Sequence, residues 1–200
     1  LPVTLTLDRA GLVGEDGPTH HGVFDFAYLR HLPGMVVMAP ADENELARMM
    51  ATAVRLNQPA AVRFPRGEIT GTPMEHTPTP LPVGRGRVLR EGHDLALVSV
   101  GNMLACALEV AERLEREHGL KVAVADARFV KPLDEDLLAE LAGRCGRIVT
   151  LEEHARLGGF GSAVLEALSG RGVRADVLVI GLPDAFVEHG SLVQLRERYG

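Results

Sequence analysis

The stretch Asp8–Gly22 concentrates side chains that move protons and hold anions. It carries Arg9, Glu15, Asp16 and the adjacent His20 and His21. Histidine exchanges a proton near neutral pH, which general acid–base chemistry requires, so His20 is the first candidate. Asp16, four residues earlier, can orient an imidazole or accept a hydrogen bond from a substrate hydroxyl. His21 is the less favoured of the two histidines, and the pair also suits plain solvation or metal ligation. Arg9 and Arg66 each follow a β-like run. If those runs are neighbours in one sheet, two forked guanidiniums meet at one rim and suit a phosphate. Arg63 could add to that basic cluster, or Arg63 and Arg66 could simply be solvated.

A second group is Glu152-Glu153-His154 followed by Gly158-Gly159-Phe160-Gly161. A glycine-rich turn that opens a helix can hold an anion on its free N–H groups. The tight-turn reading is the stronger one here. No His/Cys/Asp cluster has metal-ligand spacing, so no metal site is assigned.

The elements that position these residues alternate. Pro2–Leu7 reads as a buried strand and runs into the first loop. Val23–Leu32 reads as a helix ended by Pro33-Gly34. Met35–Ala39 is a second strand. Asp42 with Glu45 is a capping-box-like start to a helix carrying Leu46, Met49, Met50 and Ala53. Ala60–Phe64 is a third strand. Pro73, Pro78, Pro80 and Pro82 then mark an extended linker. A fresh series follows: an edge strand in 84–89, a strand in 94–100, a helix ending near Gly119, and a strand in 121–125. After these come a helix 133–141 stopped by Gly143, strands at 147–151 and 175–180, a helix at 162–168, and a terminal helix at 192–199. Strands alternating with helices predict an α/β fold: largely parallel sheets with flanking helices, in two domains. Residues 1–69 form the first, 70–83 the linker and 84–200 the second.

Of the 200 residues, 46% are hydrophobic, enough for a sizeable core, and the net charge of −6 carries no basic footprint for nucleic acid. No apolar run reaches the length of a membrane span, and no basic-then-apolar start marks a secretion signal. A cytoplasmic location is the expectation. Cys106 and Cys145 lie among apolar residues and are expected as buried, reduced thiols. The first residue is not Met, and the first element reads as a mid-domain strand, so a fragment is expected.

Asp8-Arg9-Ala10-Gly11 with Gly14-Glu15-Asp16-Gly17-Pro18-Thr19-His20-His21-Gly22 resembles the 1-deoxy-D-xylulose-5-phosphate synthases. These belong to the thiamine-diphosphate-dependent, transketolase-like group. The Gly-Glu-Asp-Gly-Pro-Thr-His part is common to transketolases. Asp-Arg-Ala-Gly and the segment Phe24–Arg30 are particular to the synthases. Ala41–Glu45, Arg63-Phe64-Pro65-Arg66-Gly67 and the Glu152–Gly161 region match as well. The likeness runs over the whole chain but only the C-terminal part of the family's.

The resemblance implies the rear part of a pyrimidine-binding domain followed by a transketolase C-terminal domain. It implies condensation of pyruvate with D-glyceraldehyde 3-phosphate with loss of CO₂, the first step of non-mevalonate isoprenoid precursor synthesis, with supply to thiamine synthesis. His20 and Asp16 match positions lining the substrate channel, and Arg9 and Arg66 match positions holding the acceptor's phosphate. Thiamine diphosphate and Mg²⁺ would be bound mainly by upstream residues, so the isolated chain is expected to be inactive. The implied partners are the upstream half of the same enzyme and a second copy in a homodimer, with no nucleic acid or membrane. Two other readings stand beside this one: a transketolase or 2-oxoacid dehydrogenase β subunit, and a non-catalytic dimerisation or regulatory fragment.

Overall fold

The computed structural model describes residues 1–199; Gly200, the last residue assigned to the second domain, lies outside them. The first elements are β1 (Thr4–Leu7), α1 (Asp25–Arg30), β2 (Val36–Met38), α2 (Glu43–Arg55) and β3 (Ala60–Arg63). Then come β4 (Arg87–Arg90), β5 (Leu95–Ser99), α3 (Met103–His118), β6 (Val122–Asp126) and β7 (Phe129–Lys131). The chain finishes with α4 (Glu135–Cys145), β8 (Arg147–Ala155), α5 (Phe160–Gly170), β9 (Asp176–Leu182) and α6 (Leu192–Tyr199).

One sheet has the order β1-β3-β2-β7, the other β4-β6-β5-β8-β9. Among the described residues the antiparallel strand pairs are β7 with β2 and β4 with β6. Largely parallel sheets must be covered on both faces, which is why β2, β3 and β6 are buried throughout. One hydrophobic cluster joins the two sheets, with Val37, Ala39 and Ala61 of the first packed with Ala96, Val98 and Ala125 of the second.

β7 is the main addition to the sequence reading. It lies after the linker yet pairs with β2, so the first sheet is completed by the second half of the chain. Phe129 is fully buried against Val36, Met38 and Met49. Arg128, just before it, adopts a left-handed φ of 59°. Its guanidinium forks onto Glu45 at 2.9 Å through both Nε and Nη2. Glu45 therefore does not reach back to cap α2; Asp42 alone does so, accepting from the Glu45 amide at 2.8 Å.

Three other expectations are corrected. β1 is not buried: it sits at the sheet edge and Leu5 is exposed. Gly143 does not stop α4, which continues to Cys145 and ends on left-handed Gly146. A Cβ at Gly143 would meet nothing, so the glycine faces open space and costs the helix only its propensity, about 1 kcal/mol. The cysteines are not both buried: Cys106 is exposed and Cys145 half-buried. The proline-rich segment is extended but tied down along α2. Glu43 accepts from Thr70 and Thr72, Asn44 from Glu75, and the Thr52 hydroxyl from Leu81.

Candidate active site

β1 and β3 are adjacent and parallel, with Leu7 opposite Arg63. Arg9 and Arg66 therefore leave the same sheet rim, at the carboxyl ends of the strands, where open α/β sheets present ligand sites. Between them stands Asp16, carried on a single 3-10 turn, Gly14–Asp16. Its Oδ2 accepts from Arg9 Nε at 3.1 Å, and its Oδ1 is paired with Arg66 Nη1. Arg66, foremost, and Arg9 hold the Asp16 carboxyl below its ordinary range. The cluster is open to water, the Arg66 side chain being 58% exposed. Two guanidiniums thus grip one anion at the rim, and that anion is the protein's own carboxylate.

His20 is exposed in the same loop. Its amide donates to Gly17 O at 3.0 Å, and its Nδ1 lies 3.0 Å from the Thr19 hydroxyl. Asp16 makes no hydrogen bond to it; its two oxygens face the arginines. His21 faces the other way. Its Nδ1 accepts from the Val13 amide at 3.0 Å, which leaves the proton on Nε2, 3.2 Å from Glu188 O. That ring braces the loop.

The layer beneath holds residues that the sequence reading placed elsewhere. Arg63 is not part of the solvent-facing basic cluster, nor is it solvated: its side chain is 3% exposed. Its Nε donates to Asp25 Oδ2 at 2.7 Å, and the guanidinium lies 4.3 Å from the Phe26 ring centroid. On the ring's stack, 4.9 Å away by centroids, lies His154. His154 is fully buried and accepts from the Phe26 amide on Nε2 at 3.1 Å. Burial, reinforced by the Arg63 charge, drops its pKa to about 4, so it is neutral. The Gly158–Gly161 turn offers no free anion cradle. Glu152 already accepts from the amides of Phe160 (2.5 Å) and Gly161 (2.8 Å) at the start of α5. Burial outweighs those two bonds and raises the Glu152 carboxyl to about 7. Glu153 ties the second sheet to the loop: its Oε2 accepts from the Leu12 amide (3.3 Å) and Asn102 (3.0 Å), its Oε1 from Arg196 (2.9 Å).

The signal for this layer was present but ambiguous. Arg63 follows Ala60-Ala61-Val62 within one strand, and Glu152–His154 extend the buried strand that contains Ile148 and Leu151. Charged residues continuing a buried strand are paired or expelled, and the sequence alone does not name the partner. Among the described residues no group of three or more His, Cys, Asp or Glu is arranged to hold a metal ion. Among the described residues no helix is long and apolar enough to cross a membrane.

Comparison with known proteins agrees with this architecture. Residues 1–71 match the family model of the transketolase pyrimidine-binding domain, and residues 84–200 that of the transketolase C-terminal domain. Over its whole length the chain is 52% identical to the 1-deoxy-D-xylulose-5-phosphate synthase of Heliobacterium modesticaldum and covers 31% of it. It is 54% identical to that of Gloeobacter violaceus, covering 32%. The chain thus spans about a third of the length of the curated relatives it matches. Among solved structures, a split-gene transketolase described as an inactive β4 tetramer aligns with a TM-score of 0.86 and 37% identity, over 99% of this chain and 62% of that one. The transketolase of Campylobacter jejuni shares the fold, with a TM-score of 0.74 at 21% identity, over 98% of this chain and 29% of that one. The chain belongs to the transketolase family, with that family's pyrimidine-binding and C-terminal domains.

Proposed function

We propose that the chain is the C-terminal part of a 1-deoxy-D-xylulose-5-phosphate synthase, which condenses pyruvate with D-glyceraldehyde 3-phosphate and releases CO₂. The observation that carries this reading is the pair Arg9 and Arg66 gripping an anion at one sheet rim, beside a solvent-facing histidine. Near-half or greater identity to named synthases along the whole chain supports the choice of reaction. In this reading Arg9 and Arg66 hold the acceptor's phosphate, which takes the place of the Asp16 carboxylate. Asp16, once released, accepts a hydrogen bond from an acceptor hydroxyl. His20 gives a proton to the aldehyde oxygen as the carbon–carbon bond forms, or holds that oxygen by hydrogen bonding.

The described residues do not fit the diphosphate and metal of the thiamine cofactor. The one glycine-rich helix start is filled by Glu152, and no carboxylate cluster is arranged for Mg²⁺. In this reading thiamine diphosphate and Mg²⁺ are bound mainly by residues outside this chain, and the chain alone is expected to be inactive. A cytoplasmic homodimer is the assembly that goes with this reading. Ketol transfer between sugar phosphates, the transketolase reaction, is the rival to be tested.

The experiment uses the full-length enzyme containing this chain. It should form 1-deoxy-D-xylulose 5-phosphate and CO₂ from pyruvate and glyceraldehyde 3-phosphate. His20→Ala should bind thiamine diphosphate normally and turn over roughly 10²–10⁴-fold more slowly, the usual range for one acid–base group. Near-full activity in His20→Asn with an unchanged pH profile would leave His20 only a bracing role, since an amide can replace a neutral donor or acceptor. Ketol transfer without pyruvate consumption would overturn the assignment.

A further inference from the structure

We propose that Arg63 is a positioning residue for the phosphate-facing loop: its buried guanidinium fixes the Gly22 carbonyl, and through it the backbone that aims Arg9. The proposal rests on the phosphate-binding reading of Arg9 given above.

Arg9 needs an external hold. It adopts a left-handed φ of 57°, which a residue with a Cβ occupies only when its surroundings enforce it. The Ala10 amide donates to Phe64 O at 3.0 Å on one side, and the other enforcing contacts pass through Gly22. The Gly22 amide donates to Arg9 O and to Gly11 O, both at 3.0 Å, and the Gly11 amide donates to Gly22 O at 2.9 Å. A Cβ at Gly22 would collide with the Arg9 carbonyl oxygen, so the two backbones meet as closely as they can. This neck closes the loop between its two candidate ends, Arg9 and the His20-His21 pair.

The neck is in turn held from below. Arg63 Nη2 donates to Gly22 O at 2.6 Å and to Glu153 O at 2.9 Å, while Nε is locked on Asp25. The planar fork thus ties three points together: the loop neck, the start of α1 and the end of β8. The carboxylate of the same Glu153 receives the Leu12 amide. Both sides of the loop are therefore anchored to β8, a strand of the second sheet; on the Gly22 side the Ala155 amide holds Val23 O at 2.9 Å, and Arg63 is the link to the Gly22 carbonyl itself. A lysine keeps the charge but cannot serve three acceptors in one plane.

The test is Arg63→Lys in the full-length enzyme. KM for glyceraldehyde 3-phosphate should rise at least roughly tenfold, with KM for pyruvate within about twofold of wild type. In an Arg9→Ala background the same substitution should add less than about twofold, because the two residues act through one contact. Hydrogen exchange at the Gly11 and Gly22 amides should quicken at least roughly tenfold, while the amides of β6 keep their protection. An undiminished KM effect in the Arg9→Ala background, or an equal loss for both substrates, would overturn the proposal. If the enzyme proves not to use these substrates, the functional reading fails, and exchange alone decides: unchanged protection of Gly11 and Gly22 would refute the positioning role. Should Arg63→Lys not fold, Asp25→Asn loosens the same guanidinium at its Nε end and must give the same split between the two KM values.

Discussion

Arg63 and Arg66 leave the end of β3 three residues apart, and they meet opposite environments. Arg63 is sealed beneath the loop, with a carboxylate, two carbonyls and an aromatic ring filling its surroundings. Arg66 stands above the loop with one carboxylate partner and open water. Both are paired with aspartate, yet the physics differs. The buried pair cannot lose one member without stranding a charge, whereas the exposed pair can exchange Asp16 for another anion at little cost. A fixed lower layer and an exchangeable upper one is the division of labour a binding site needs: the lower arginine gives geometry, the upper one gives chemistry.

Breaking the lower layer should have the largest effect. Arg63→Met leaves Asp25 buried and unpaired, and should destabilise the chain by about 3–5 kcal/mol. Arg66→Ala should unfold at the wild-type denaturant midpoint. Equal loss from both substitutions would erase the distinction between the layers.

The lower layer should also respond to acid. His154 has a folded pKa near 4, below its ordinary 6.5, so the unfolded chain takes up the proton first as pH falls. Stability from this group is full above pH 6.5 and drains as pH drops toward 4, by on the order of 3 kcal/mol. Glu152 has the opposite sign. Its folded pKa near 7 lies above the ordinary 4.5, so its contribution is full below pH 4.5 and is lost as pH rises through 7. Between pH 4.5 and 6.5 the two slopes oppose each other. Urea midpoints of wild type and His154→Gln at pH 7, 5.5 and 4 separate them. The stability gap between the two proteins should close on acidification, and a gap independent of pH would exclude a neutral buried His154.

In the upper layer the effect moves to substrate. Arg66→Ala in the full-length enzyme should raise KM for glyceraldehyde 3-phosphate roughly 10- to 100-fold and leave KM for pyruvate nearly unchanged. A matching rise for pyruvate would remove Arg66 from the phosphate site.

The two layers were not equally legible in the sequence. The upper one was visible because its residues sit in a loop whose glycines and titratable groups have no packing reason to be there. Placing Arg9 and Arg66 together needed only β1 and β3 to be neighbours. The lower one was hidden because Arg63, Asp25, Glu152 and His154 come from three elements, β3, α1 and β8, and burial of a charge is decided by partners distant in sequence. The fold shows the same division. Continuous apolar runs announced β2, β3, β5 and β6, whereas β7 is three residues long and pairs with β2, Phe129 lying opposite Met38. Nothing local marks such a crossing. The reading of β1 as buried failed for a related reason: its β-branched residues fit a strand, but no neighbour covers its outer edge.

The smallest effect is the most discriminating for the upper layer. Asp16→Asn removes the charge that the two arginines share, while the amide oxygen still accepts one hydrogen bond. The cluster is open to water, so folding should be unaffected within the scatter of surface substitutions. What changes is competition. In the wild type an incoming phosphate must displace Asp16 from both guanidiniums; in the variant it displaces only a neutral amide. Inorganic phosphate, titrated by calorimetry at low ionic strength, should therefore bind roughly 3- to 10-fold more tightly to Asp16→Asn. The gain should shrink as salt screens the exposed charges, and vanish when Arg66→Ala is added. Turnover should fall in the same variant, since the released carboxylate is the group assigned to the acceptor hydroxyl. Tighter phosphate with slower turnover is the signature of an anion held in reserve. Unchanged or weaker phosphate binding would mean that Asp16 orients the arginines instead of competing for them, and the upper layer would then be as fixed as the lower.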